Sequence, residues 1–503
     1  MKLDLRGHQE KYVIEQSMLN LFPGELPVYG TVTDLDKNNN NNNYAIVSSR
    51  EENINNNNIK FRVSVEIKYH NGLGESGCEE ILSGDEYQQE GQRRYWLGYC
   101  FFMAARKILK ITPPWGMLSG VRPDKIITRA LLSGESEADA EKILREKYFV
   151  SPDRAAMALQ TGRAAFEAKR ELNIQDICVY IGVPFCPTRC AYCSFVSQSV
   201  EKSYGFIAPY ADALKEEIQA GGKLIRDLNL HVRAVYMGGG TPTTFNPAQL
   251  EKILRAVYDN FDLSRRREFT VEAGRPDTIT EEKLKVLKDY DITRISINPQ
   301  SMNDQVLQAI GRRHTAEDII RAMNLAARAG FDNINMDFIA GLPEDTPAGF
   351  AKTLNACLNF QPGNITIHTL ALKKGSRVLT ENLSVPDAAD VAKMLDYAAE
   401  RLNRAGYEPY YLYRQKYMSG SFENTGWRNL NLNFDAGCLY NICEMSELCG
   451  IIAFGAGGAT KLVKPDQKRT EIKRLFHSKY PEDYLARPDK WREILRQIAD
   501  FYK

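Results

Sequence analysis

The spacing of apolar and polar positions changes along this chain, and the changes mark its parts. Phe61-Arg-Val-Ser-Val-Glu-Ile-Lys-Tyr69 alternates apolar and polar residues, the pattern of a half-buried strand. Tyr95–Leu109 reads as a mostly buried helix, and Ala138–Tyr148 and Arg154–Leu172 read as amphipathic helices. Two asparagine tracts, Asn38–Asn43 and Asn55–Asn58, interrupt this region. Polar runs of this kind cannot bury a core and read as loop insertions. Residues 1–170 are therefore expected to form an N-terminal α+β domain, and no chemical motif falls within it.

From Ile177 the pattern becomes regular. Strand-like runs occur at Ile177–Phe185, Ala234–Met237, Glu268–Glu272, Arg294–Asn298, Ile334–Ile339 and Asn364–Leu370. Helical stretches follow the first five, at Ala208–Ile225, Pro247–Tyr258, Glu281–Asp289, Ala316–Ala329 and Pro347–Asn359. Strands alternating with helices of this length predict an α/β fold with a parallel sheet. Six such units over residues 171–380 would make an open partial (β/α)6 barrel, with functional residues at the C-terminal ends of the strands by analogy with full barrels. Residues 381–503 are expected to form a helical and mixed cap. There Ala392–Ala405 reads as an amphipathic helix leading to Gly406-Tyr-Glu-Pro-Tyr-Tyr-Leu-Tyr413, whose tyrosines suit either a core or the wall of a flat pocket.

Composition narrows the function. With 503 residues the length favours several domains, and a net charge of +1 gives no electrostatic case for nucleic acid or an acidic membrane as partner. The opening residues carry charges where a signal peptide needs an apolar core, and no run is long enough to span a membrane. A cytoplasmic protein is expected, its ten cysteines reduced thiols or metal ligands.

The chemistry starts where the first predicted strand of the barrel ends. Cys186, Cys190 and Cys193 are spaced C-x3-C-x2-C, and Ser194, Phe195 and Val196 follow without another ligand. Three thiolates suit either an incomplete zinc site or a [4Fe–4S] cluster with one iron open to a ligand that is not protein. Gly238-Gly-Gly-Thr-Pro-Thr243 follows the second strand and lets backbone approach a ligand closely. Glu272, Gln300 and Asp337 sit at the ends of the third, fourth and fifth strands and so converge on one mouth. Cys438, Cys443 and Cys449 have a spacing that matches no familiar metal pattern and read as buried thiols.

In order along the chain stand Tyr180-x3-Pro-Phe-Cys-x3-Cys-x-Tyr-Cys193, the Gly238 motif, Arg294-Ile-Ser-Ile-Asn-Pro-Gln-Ser301, Gly311-Arg-Arg-His314 and Asn335-Met-Asp-Phe-Ile-Ala-Gly-Leu-Pro343. This set resembles the oxygen-independent coproporphyrinogen III oxidase family of radical S-adenosylmethionine (SAM) proteins. Tyr411-Leu-Tyr-Arg-Gln-Lys416 and the N-terminal extension are most similar to its HemZ-type branch. The resemblance implies that Cys186, Cys190 and Cys193 hold a [4Fe–4S] cluster whose free iron takes SAM. It assigns Gly239, Gly240 and Thr241 to the methionine part and Glu272 to the ribose. Tyr180, Gln300, Arg312, Asp337, Ala371 and Ala459 become further SAM contacts, and Tyr192 is associated with a second SAM.

The implied reaction is oxidative decarboxylation of coproporphyrinogen III propionates to vinyl groups, giving protoporphyrinogen IX. Its partners would be a tetrapyrrole and an electron donor such as flavodoxin or ferredoxin. Arg313, His314, Arg414 and Lys416 are candidates to hold the substrate's carboxylates. The family's decarboxylases carry a cysteine two residues after the third cluster thiol, where this chain has Phe195, and Gly182 replaces a histidine. A haem chaperone that keeps the cluster, and a methyltransferase using a second SAM, stand as alternatives.

Overall fold

A computed structural model of the chain describes residues 1–39, 42–55, 57–109, 112–120, 122–193, 198–372, 376–415, 422–464 and 471–503, without the side chain of Lys202. Phe195 and Lys416 lie outside the described residues. The chain divides into two compact units, Met1–Pro123 with Glu135–Met157, and Asp124–Gly134 with Ala158–Lys503.

The first unit carries a sheet of β1 (Lys2–Arg6), β2 (Val28–Tyr29), β3 (Tyr44–Asn55), β4 (Asn58–Tyr69) and β5 (Gly72–Ser83), in the order β2-β1-β3-β4-β5. On β4 the buried Phe61, Val63, Val65 and Ile67 alternate with outward-facing polar residues, as the pattern predicts. Their core is completed by Ile14, Met18, Leu97 and Phe101 of helices Lys11–Leu21 and Glu86–Arg106. The second helix starts nine residues before the predicted Tyr95, because Asp85 and Gln88 form a capping box that satisfies its first N–H groups. Of the second asparagine tract, Asn56 lies outside the described residues, and Asn55 and Asn58 pair with each other. Asn53, Asn55 and Asn58 extend the β3–β4 hairpin, where backbone pairing continues beyond the side chains that a core can use.

In the second unit β6 (Asp176–Val183), β9 (His231–Gly239), β10 (Glu268–Glu272), β11 (Arg294–Ser296), β12 (Ile334–Ala340) and β13 (Asn364–Thr369) lie side by side in chain order, all parallel. The short β7 (Phe185–Cys186) and β8 (Gln198–Ser199) pair with each other beside them. Helices Val200–Asp227, Pro247–Asn260, Glu281–Asp289, Ala316–Arg328 and Pro347–Leu358 return the chain between strands. The first of them begins well before the predicted Ala208, with Pro209 inside it; an interior proline removes one backbone bond without ending a helix this long.

The sheet continues past the six strands on both sides. Antiparallel β15 (Glu423–Asn429) and β14 (Tyr407–Arg414) extend it beyond β13. On the other side β16 (Gly450–Phe454) pairs in parallel with β6, followed by antiparallel β17 (Ala459–Lys464) and β18 (Glu471–Phe476). With β14 and β18 as its edges, the sheet stays open among the described residues. Such a curved sheet must fill its inner face. Helix Leu439–Ser446 does so at the N-terminal ends of the strands, its Leu439, Tyr440, Ile442 and Cys443 packed with Cys178, Ala234 and Tyr410.

The helix is fastened by one carboxylate. Glu268, first residue of β10 and buried, accepts the backbone N–H groups of Leu439 and Tyr440, both at 2.8 Å. Neither Cys438 nor any neighbour provides a side-chain cap, so Glu268 stands in for one from another element. Buried Arg294 next to it keeps its charge: burial opposes it, but the facing Cys438, Tyr410 and Glu268 more than compensate. Glu268→Ala should therefore lower the stability of this unit by about 2–4 kcal/mol. The check is the urea midpoint followed by fluorescence of buried Trp427; an unchanged midpoint would count against the cap.

Candidate functional site

At the opposite ends of the strands the second unit encloses a cavity of about 380 Å³. Cys186, Cys190 and Cys193 all line it, as do Tyr180, Tyr192, Gly239, Gly240, Thr241, Glu272, Gln300, Arg312, Asp337 and Ala371. Most stand at or just beyond the C-terminal end of a parallel strand or on the loop that follows, while Tyr180 and Asp337 sit within β6 and β12. Ala459 is elsewhere: it is exposed at the start of β17, opposite Phe476, and is not among the lining residues.

The cysteine loop is held by the glycine-rich loop beside it. Gly240 and Thr241 donate their N–H groups to the carbonyls of Val183 and Phe185, at 2.8 and 2.7 Å. Gly239 takes φ +110°, and a Cβ on Gly240 would fall 2.4 Å from the Phe185 carbonyl oxygen. These glycines are thus demanded by close approach, and with their N–H groups spent they offer a ligand carbonyl oxygens. Two cations flank the middle thiol. Arg275 donates to Cys190 Sγ at 3.7 Å and to Thr188 Oγ1 at 3.1 Å, and Arg312 donates to Tyr192 Oη at 3.1 Å.

Deeper in, two carboxylates face different surroundings. Glu272 accepts from Tyr236 Oη at 2.6 Å, yet burial, and beyond it the Asp337 charge, push it up to about 7. Asp337 is equally buried, but donors from His368, Asn335 and Thr366 hold it below its usual value. Gln300 adopts φ +66°, a conformation that side-chain-bearing residues rarely take, fixed by its N–H on Asp337 O at 2.9 Å. Its Oε1 and the polar side-chain atoms Asn298 Oδ1, Ser296 Oγ and Thr270 Oγ1 are buried without a partner among the described residues. Unsatisfied acceptors and hydroxyls in one cavity await a polar ligand.

The floor comes from the helix that fills the sheet. Tyr440 stacks on Tyr236 with centroids 4.6 Å apart and on Tyr180 at 6.1 Å, and Asn441, Glu444 and Met445 complete the lining. Of these, only Tyr180 was a sequence candidate. The signal of the helix residues, an apolar and polar mixture at helical spacing between Cys438 and Cys449, is hidden by the cysteines. Of the tyrosines after Gly406, Tyr411 and Tyr413 reach the cavity, while Tyr407 and Tyr410 are core residues bonded to Pro362 and Asn364.

The proposed carboxylate holders fare differently. Arg313 is exposed and paired with Glu201, and Arg414 is buried at the end of β14, where desolvation lowers it to about 10. His314 is buried and held neutral, its pKa pushed to about 3 by burial and by Arg312 and Arg275. None of the three lines the cavity. Cys438, Cys443 and Cys449 do not form one group: Cys438 donates to Glu268, and the other two meet Cys178.

A partial parallel barrel with three thiols and a glycine-lined cleft at its mouth defines a radical SAM architecture, and residues 180–357 match the Radical SAM superfamily. The oxygen-independent coproporphyrinogen-III oxidase-like protein HemZ of Bacillus subtilis is 36% identical over 450 residues, covering 87% of this chain and 88% of that protein. The heme chaperone HemW of Haemophilus influenzae is 27% identical over 62% of this chain and 76% of its own. The oxygen-independent coproporphyrinogen III oxidase of Salmonella typhimurium is 29% identical over 54% and 62%. The chain belongs to the oxygen-independent coproporphyrinogen-III oxidase-like family of the radical SAM superfamily, whose cofactors are a [4Fe–4S] cluster and SAM.

The cavity fits those groups: the thiols share one wall with the glycine cradle, and the unpartnered polar atoms lie farther in. A hydroxyl donated to Glu272 favours its ionised form, so binding should release a proton from this raised group. SAM affinity is expected to rise with pH, by at most about tenfold per unit, up to about pH 7 and to level off above it. Titration of SAM across pH 5.5–8.5 reads this, and Glu272→Gln should flatten the profile.

Proposed function

We propose that this protein is a radical SAM oxidoreductase that oxidatively decarboxylates coproporphyrinogen III, converting propionate side chains to vinyl groups in haem biosynthesis. The observation that supports it most is the convergence of the thiols, the glycine loop and the carboxylates Glu272 and Asp337 on one cavity, in a chain aligned with a HemZ relative over nearly its whole length. Cys186, Cys190 and Cys193 would hold the cluster and leave its fourth iron for the amino and carboxylate groups of SAM. When bound, these cofactors supply one-electron cleavage of the SAM C5′–S bond, which gives the site its power to abstract hydrogen.

The residues around them bind and orient. Carbonyls of the Gly239–Thr241 loop would accept from the N–H groups of the methionine amino group, and Glu272 and Asp337 from the nucleoside hydroxyls. Gln300 and Arg312 would position the remaining polar edge, with Tyr180 and Tyr192 near the cluster and Ala371 against the adenosine. The stacked ring of Tyr440 keeps water from below. A haem chaperone is the second reading; the HemW relative favours it, and so does Phe195 in place of the decarboxylases' cysteine.

Anaerobic protein reconstituted with iron and sulfide is expected to convert coproporphyrinogen III, with SAM and dithionite, into a product lacking two carboxyl groups, with 5′-deoxyadenosine formed alongside. SAM cleavage without decarboxylation, together with stoichiometric haem binding, would transfer the assignment to the chaperone reading. Phe195→Cys should raise turnover if that thiol serves the chemistry. Arg275→Met removes a positive donor from the Cys190 sulfur and should shift the cluster's reduction potential to more negative values, read by an anaerobic redox titration followed by electron paramagnetic resonance.

A further inference from the structure

Three of the cysteines meet at the N-terminal ends of the strands, outside the cavity. Cys178 lies on β6, Cys443 on helix Leu439–Ser446, and Cys449 immediately before β16. Their Sγ atoms all lie within 4.8 Å of one another, with Cys178 and Cys449 at 3.8 Å, and all three residues are buried. The parallel pairing of β16 with β6, Ile451 opposite Cys178, fixes two of them, and the cap on Glu268 fixes the helix that carries the third.

The size of this triangle selects its guest. Metal–thiolate bonds of about 2.3 Å place two sulfurs about 3.8–4.0 Å apart, whether the angle is tetrahedral or trigonal. A cubic iron–sulfur cluster spreads its thiolates more widely, so the group suits a single ion. All three donors are soft, which favours a thiophilic over a hard cation, and Ala165, Ala168, Ile442 and Ile451 pack in the same cluster. A positive charge stands close by: Lys169 Nζ donates to the Leu448 carbonyl at 3.0 Å, next to Cys449. With Zn2+, three thiolates and this ammonium sum to zero charge; with Cu+ they leave a single negative charge, far less than three bare thiolates would. Simple space filling would be met as well by alanine or valine.

We propose that Cys178, Cys443 and Cys449 form a second, mononuclear site for a thiophilic d10 cation, Cu+ or Zn2+. Binding replaces three thiol protons, which pass to solvent, and transfers no electrons. The ion fastens the helix that carries Tyr440 and Glu444 to the strand that carries Tyr180, so it braces the cavity floor. Three sulfurs complete a trigonal Cu+ site, whereas Zn2+ takes one further ligand.

The test uses full-length protein with Cys186, Cys190 and Cys193 all replaced by Ala, so that no iron cluster forms and the outcome is independent of the reading of the cavity. It is loaded anaerobically with Zn2+ or with Cu+, desalted against a competing chelator and analysed for metal. One equivalent of one of the two ions should remain, and which one identifies the guest. Co2+ added to the metal-free protein should give a thiolate-to-metal charge-transfer band at one equivalent. Adding Cys443→Ser should abolish both signals. Retention of neither ion and no Co2+ band, or retention unchanged in a Cys178→Ala/Cys449→Ala background, overturns the site. Should Cys443→Ser fail to fold by circular dichroism, the band in the intact trio still decides.

Discussion

An open parallel sheet that curves around a ligand has an inner face with no partner at its closed end, and the molecule depends on how that face is filled. Here a short helix from far along the chain enters beneath the strands, held by the Glu268 carboxylate 171 positions away. Eight residues make a helix too short to stand alone in water. Its N–H groups are therefore satisfied by an acceptor that the sheet already holds rigid. The same helix carries Tyr440 to the underside of the ligand cavity, so the packing of the core and the shape of the site are set by one anchor.

The cavity works by contrast in polarity. Two carboxylates lie equally deep, but Asp337 is surrounded by donors while Glu272 has few and feels its neighbour's charge. One stays ionised and the other sits near neutrality, an arrangement that lets the empty cleft tolerate two acids and the filled cleft use both. At the mouth, Arg275 and Arg312 place positive charge around the middle thiol, where a thiolate-bound cluster would concentrate negative charge.

The repeating strands and helices were legible because periodicity is local: Glu268–Glu272 and Glu281–Asp289 fall where the pattern puts them. The strand-end residues were legible because an ordered motif set places each on a known turn of the barrel. Tyr236, Tyr440 and Arg275 were not, since their roles come from contacts across long sequence distances that no local pattern encodes. Arg313, His314 and Arg414 show the converse. A charged or titratable residue near a motif looks functional, but an exposed ion pair, a neutral buried imidazole and a guanidinium at the end of β14 only emerge in three dimensions.

The pairing of β16 with β6 has a consequence for synthesis. As the chain leaves the ribosome, β6 finds β9 on one flank within some tens of residues, but its other flank waits for a strand following Cys449, 271 positions after Cys178. During that interval a strand reading Ile-Cys-Val-Tyr-Ile exposes an unpaired edge directly ahead of the cysteine loop. Such an edge is a site for mispairing with other nascent chains. The flank of β6 that lies just ahead of the three-thiol loop is thus among the last parts of the sheet to form.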